Sequence, residues 1–76
     1  MDRIFLNVEC AFSSEGTVRP MRFQWVNRKW YDVDKVLDEV RTPSRLVGGG
    51  AVRYTVRVHD RVLRLCRDGD RWYAEA

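Results

Sequence analysis

Three side chains in this sequence are of the types that do nucleophilic or metal chemistry near neutral pH: His59, the single histidine, and the two cysteines, Cys10 and Cys66. A thiolate nucleophile would need His59 as its base, a third group to orient the imidazole, and donors for an oxyanion. His59 stands beside Asp60 in a predicted turn, and no orienting group or oxyanion donor is identifiable. It reads as a turn residue that tolerates an unusual backbone angle. Zinc asks for about four closely spaced ligands, which two distant cysteines without a C-x-x-C pairing do not supply; the thiols read as small buried hydrophobes. Asp32, Asp34 and Asp38 read as solvated charges or strand-end caps. The run Gly48, Gly49 and Gly50 is followed by neither a lysine with serine or threonine nor a helix, so it is not a phosphate loop. The sequence predicts no catalytic residue, no cofactor and no metal.

The chemistry that remains belongs to arginine. Formal net charge is +3, from 14 basic and 11 acidic residues, and nearly all the bases are arginine. That bias is small, so position matters more than number. A guanidinium offers a planar fork to phosphate and stacks on aromatic rings. Arg53, Arg57, Arg64 and Arg71 recur with Tyr73 in the last third of the chain, and Trp30 stands apart beside Arg28 and Lys29. If one face gathers them, the surface suits a nucleic-acid backbone, with a base stacked on Tyr73 or Trp30. The plain alternative is a solvated sheet face whose arginine stems cover Tyr73 and pair with acids such as Glu75.

Whether one face gathers them depends on the elements. A chain of 76 residues predicts one domain, 1–76, which buries only about 60 to 65% of its unfolded surface. Three Trp, three Tyr and three Phe supply its core. Ile4, Leu6, Val8, Cys10 and Phe12 alternate with polar residues, the period of a half-buried strand. Ser13 to Gly16 reads as a turn, and Pro20 suits a strand start or an edge. In the stretch FQWVNRKWYDV, a three-residue loop of Asn27, Arg28 and Lys29 pairs Trp25 with Tyr31 and Phe23 with Val33 on one apolar face. Trp30 then goes to the opposite face beside Val26.

Val33, Val36, Leu37 and Val40 fit one face of a two-turn helix, and equally a continuing strand bent by a bulge. Residues 41–51 read as a loop or the tip of a long hairpin. After them a three-stranded meander is expected: VRYTVRV, a tight turn at His59, Asp60 and Arg61, VLRLC, and RWYAEA after a turn at Asp68 and Gly69. That turn pairs Leu65 with Trp72, Leu63 with Ala74, Arg64 with Tyr73 and Cys66 with Arg71. Tyr54 and Val56 join the apolar face, and the reverse face collects Arg53, Thr55, Arg57, Arg64, Arg71 and Tyr73, diluted by Val62, Cys66 and Glu75.

The segments PMRFQW (20–25), YDVDKVLD (31–38), GGGAVRYTVR (48–57) and RWYAE (71–75) together resemble a family of short bacterial proteins, mostly from Firmicutes, of uncharacterised function. Its pattern runs F-x-W, Y-x-I-D-x-V, G-G-x-G-x-R-Y-T and W-F-V-E. The likeness covers about two thirds of the chain. Ala51 replaces the third glycine and Tyr73 the phenylalanine. The resemblance implies a cytoplasmic stand-alone β domain and favours the bent strand over residues 33–40; it carries no activity, substrate or site across.

The expected architecture is therefore all-β: a small bent antiparallel sheet or open SH3-like barrel of five or six strands, with at most one short helix. No signal peptide or long apolar run is present at the amino terminus, which fits a cytoplasmic location without membrane contact. The expected function is a non-enzymatic binding module, a nucleic-acid-associated accessory acting through Arg53, Arg57, Arg64, Arg71, Tyr73 and Trp30. The competing expectation is a protein-interaction module or homodimer that buries Trp30, Val26 and a sheet edge.

Overall fold

The computed structural model describes residues 3–43 and 50–75. All regular structure among them is β: β1 (Arg3–Phe12), β2 (Val18–Gln24), β3 (Trp30–Asp32), β4 (Lys35–Pro43), β5 (Gly50–Val58), β6 (Arg61–Asp68) and β7 (Arg71–Glu75). They form one antiparallel sheet in the order β3-β2-β1-β7-β6-β5-β4, curved into a half-barrel. Seven strands stand where five or six were expected, because the stretch after Trp30 breaks at Val33 and Asp34 into a three-residue β3 and a separate β4.

The curvature originates in β1. Its first half, Arg3 to Leu6, pairs with β7, and its second half, Asn7 to Phe12, pairs with β2. One strand thus belongs to two partners on opposite edges, with a bulge between Glu9 and Cys10, and a bulge adds twist. The β2–β3 arm folds over the concave side of the meander. There Val18, Phe23, Tyr54, Val56, Val58, Leu65, Trp72 and Ala74 form the core, with Leu6, Val8, Cys10, Trp25, Tyr31, Val33, Val36 and Leu63 packed against it. Tyr54 stacks on Trp72 at 5.5 Å between ring centroids, and Phe23 on Tyr31 at 5.8 Å. The Tyr54 hydroxyl donates to the Val18 carbonyl at 3.0 Å and ties β5 to β2 across the core. Phe12, expected on the apolar side of β1, is 71% exposed instead, since the strand has run past the core by its last residue.

The turns follow residue chemistry. Ser13 Oγ accepts the backbone N–H groups of Glu15 and Thr17, and Gly16 takes φ 85, a conformation with no penalty when Cβ is absent. Pro20 is buried beside the bulge at Met21 in β2, where β3 does not reach, so no amide donor is missed on that side. Two predicted registers move. Phe23 pairs with Tyr31 and Gln24 with Trp30, so the loop is Val26, Asn27 and Arg28, closed by Trp25 and Lys29; the left-handed residue is Arg28, φ 67. Leu65 pairs with Ala74, Cys66 with Tyr73 and Asp68 with Arg71, so the β6–β7 turn is Gly69 and Asp70, with Gly69 at φ 64. Asp68 is retained in the strand and buried. Both moves are slips of two residues in the pairing, which leave every side chain on its predicted face. The β5–β6 turn is His59 and Asp60, shorter than expected because Arg61 already pairs with Val58; Tyr54 lies opposite Leu65 and Val56 opposite Leu63, on the one face expected.

Residues 35–43 are strand, and the helix-like spacing has a physical origin. A bulge between Val36 and Asp38 turns the chain over: Val36 faces the core opposite Val56, Leu37 is exposed, and Val40 stands opposite Arg53 on the outer side. β4 and β5 pair as far as Pro43 and Gly50, making the expected long hairpin; its tip, 44–49, with Gly48 and Gly49, lies outside the described residues.

Candidate functional site

Each predicted cation projects from the convex face because its cross-strand partners do. Arg53 lies between Val40 and Cys66, Arg57 between Lys35 and Val62, Arg64 opposite Thr55, and Arg71 opposite Asp68. Thr55 sits midway between Arg53 and Arg57 on β5, so Arg64 completes a triangle with them whose short sides are roughly 8 Å at Cα, from strand rise and spacing. The register carries the face further than the sequence did. Tyr73 pairs with Phe5, Glu75 with Arg3, Asn7 with Gln24, and Glu9 with Arg22. Arg3 and Arg22 thereby join the basic surface from strands remote in sequence. Arg67, by contrast, faces the concave side: its partners are Val52 and Trp72.

The aromatic part of the prediction changes. Tyr73 occupies the convex side of the sheet, but it is only 4% exposed. Phe5 meets its edge at 5.6 Å and the Arg3 guanidinium lies 5.5 Å from its ring centre. A ring covered in this way cannot receive a base. The accessible rings on the convex face are Phe5, 43% exposed, and Trp30, 37% exposed. Each is in contact with one guanidinium, Arg71 at 3.9 Å from the Phe5 centroid and Arg22 at 4.7 Å from that of Trp30. Cation–π contact restrains these arginines and leaves their N–H edges for other acceptors. Sequence reasoning missed Phe5 because alternation in β1 marks it as solvent-facing without saying which strand lies alongside.

Acids share this face: Asp38 lies opposite Thr55, between Arg53 and Arg57, and Asp32 and Glu9 flank Arg22. Among the described residues the one salt bridge is Arg22 Nε to Glu9 Oε1 at 3.8 Å, between two exposed side chains. Glu75, opposite Arg3, instead accepts from the Cys66 thiol at 3.5 Å. Burial first, and then the nearby Glu75 charge, push the Cys66 thiol up to about 11, so at neutral pH it is a protonated, inert group. Burial also raises the Tyr73 and Tyr54 hydroxyls above their ordinary range. Cys10 and Cys66 are free thiols on opposite sides of the sheet. His59 lies in its turn at φ 57 and donates its backbone N–H to Asp34 Oδ2. Among the described residues no group of three or more His, Cys, Asp or Glu is placed to hold a metal ion, and no helix is long and apolar enough to cross a membrane.

Two concavities stand out among the described residues. One, of about 380 Å³, opens at the mouth of the half-barrel between Phe23, Trp25, Tyr31, Val58 and Leu63, with His59, Asp60 and Arg61 on its rim. The other, of about 510 Å³, includes the saddle of the convex face, where Phe5, Asn7, Gln24, Val26, Asp70 and Arg71 contribute to its lining. Comparison with protein-family models, with curated proteins and with solved structures finds no match for this chain.

Proposed function

We propose that the protein is a non-enzymatic binding module whose convex face takes the sugar-phosphate backbone of a nucleic acid. The observation that carries this reading is the set Arg53, Arg57 and Arg64 on one face, engaged in no salt bridge among the described residues, with Arg71 beside them on β7. Guanidiniums at a spacing of several ångströms suit a chain of phosphates better than a single small anion. Phe5 replaces Tyr73 as a stacking ring, beside Trp30, which keeps the role first given to it. The bend of β1 between two half-sheets supports an SH3-like description of the barrel, and the resemblance to short Firmicutes proteins supports a cytoplasmic, bacterial setting.

The test is binding of a labelled oligonucleotide by anisotropy as salt is raised. Four neutralised phosphates on a single strand give a slope of log K against log salt of roughly −3. Arg57→Glu weakens binding and flattens the slope. Arg41→Glu is a control of equal charge change, because Arg41 pairs with Val52 on the other side of the sheet. Absence of binding at low salt, or equal loss in both variants, overturns the proposal.

A second reading rests on the free outer edge of β4, where Leu37 and Val40 are exposed, and on Val26 beside Trp30. A second protein chain or a second copy would bury them. Doubled mass in solution that reverts in Trp30→Ala supports the homodimer; a monomer at high concentration removes that version.

A further inference from the structure

The saddle groove on the convex face differs from the rest of that surface in carrying amides. Asn7 Nδ2 donates to Gln24 Oε1 at 3.0 Å, and Gln24 Nε2 donates to the Arg28 carbonyl at 3.1 Å. The chain of bonds fixes both amides in one orientation. It leaves Asn7 Oδ1, with the second hydrogens of Asn7 Nδ2 and Gln24 Nε2, unpaired among the described residues. At one end Phe5 lies under the Arg71 guanidinium, 3.9 Å away, a platform on which a base can stack. Asp70 also borders the groove, and its carboxylate accepts hydrogen bonds but repels phosphate.

We infer that this groove is a nucleobase subsite that selects bases carrying an exocyclic amino group, with the amino protons received by Asn7 Oδ1 and the Asp70 carboxylate. The inference rests on the nucleic-acid reading of the face and adds base selection to it. Charge is divided between the parts: arginines on β5 and β6 take phosphates, while the acidic side chain at the groove admits a neutral base edge and excludes the backbone. Thymine keeps one donor, its N3–H, but carries a carbonyl where cytosine carries the exocyclic amino group, and that carbonyl set against Asp70 is an acceptor facing a carboxylate, which is unfavourable.

Oligodeoxycytidine and oligodeoxythymidine of about twelve nucleotides, a length suited to one small β-barrel, separate this idea from plain stacking because the rings are the same size. Anisotropy titrations are run at low salt and mildly alkaline pH, where cytosine does not self-pair. The wild-type protein binds the cytidine oligomer about tenfold more tightly. Asn7→Leu and Asp70→Ala each reduce that preference to within roughly twofold, with affinity for the thymidine oligomer unchanged or raised. Asn7 and Asp70 are exposed, so the variants leave the core intact. Equal affinity for the two oligomers, or a preference that survives in Asn7→Leu, overturns the subsite and leaves the backbone-binding reading standing. Failure of both oligomers to bind overturns both.

Discussion

Tyr54→Phe removes one oxygen from the centre of the molecule and isolates the bond that ties the arm to the meander. The substituted ring keeps its stack on Trp72, 5.5 Å away, so no cavity larger than a hydroxyl opens. What is lost is the 3.0 Å bond to the Val18 carbonyl, whose residue is itself buried, together with the hydroxyl's interaction with the Arg67 guanidinium. A typical intramolecular hydrogen bond contributes about 1 kcal/mol net, and a buried acceptor left without a donor costs about 1 to 3 kcal/mol. A destabilisation of about 1 to 2 kcal/mol follows, which in a domain of this size lowers Tm by roughly 4 to 15 °C. Tyr31→Phe is the matched control: its hydroxyl accepts from Asn27 Nδ2 in an exposed pair at 3.0 Å, and its removal costs about 0.5 kcal/mol or less. Urea denaturation followed by tryptophan fluorescence reads both, with m unchanged if the fold is retained. If Tyr54→Phe is neutral, or if Tyr31→Phe costs more, the core bond does not join the two halves as argued here.

Raising pH through the thiol range destabilises the protein: the unfolded Cys66 thiol ionises at its ordinary value near 9, whereas the folded one holds its proton to about 11, so stability is full below about pH 9 and falls as pH rises through that window. Cys66→Ala, followed by denaturation at several pH values, removes that part of the decline and leaves the later one due to the raised Tyr54 and Tyr73 hydroxyls. Asp34→Ala deletes the acceptor of the His59 backbone N–H and costs about 1 kcal/mol by denaturation; a neutral result would show that the contact between the β3–β4 link and the β5–β6 turn carries no stability. Gly16→Ala meets no atom within 4 Å but must adopt φ 85, so it destabilises by about 1 kcal/mol through backbone strain alone. Arg22→Ala uncovers Trp30 and increases iodide quenching of its fluorescence, an increase absent if the guanidinium contact does not form in solution.

Local pattern decided which side of the sheet each residue occupies. Alternation has a period of two, so Tyr54, Val56, Leu63, Leu65, Trp72 and Ala74 were legible as one face, and Arg53, Arg57, Arg64 and Arg71 as the other, before any pairing was known. The same period makes a slip of two residues invisible, which is why Leu65 meets Ala74 rather than Trp72 and Phe23 meets Tyr31 rather than Val33. Only the turn residues break that degeneracy, and burial of Asp68 in β6 decides it at Gly69 and Asp70. Tertiary structure alone decided what covers the convex face. β1 is distant in sequence from β7 yet lies beside it, bringing Arg3 and Phe5 over Tyr73, while its second half pairs with β2 and sets Asn7 next to Gln24. Alternation assigns a direction to a side chain; it contains no term for the neighbouring strand, and that neighbour determines whether an outward ring is available or buried.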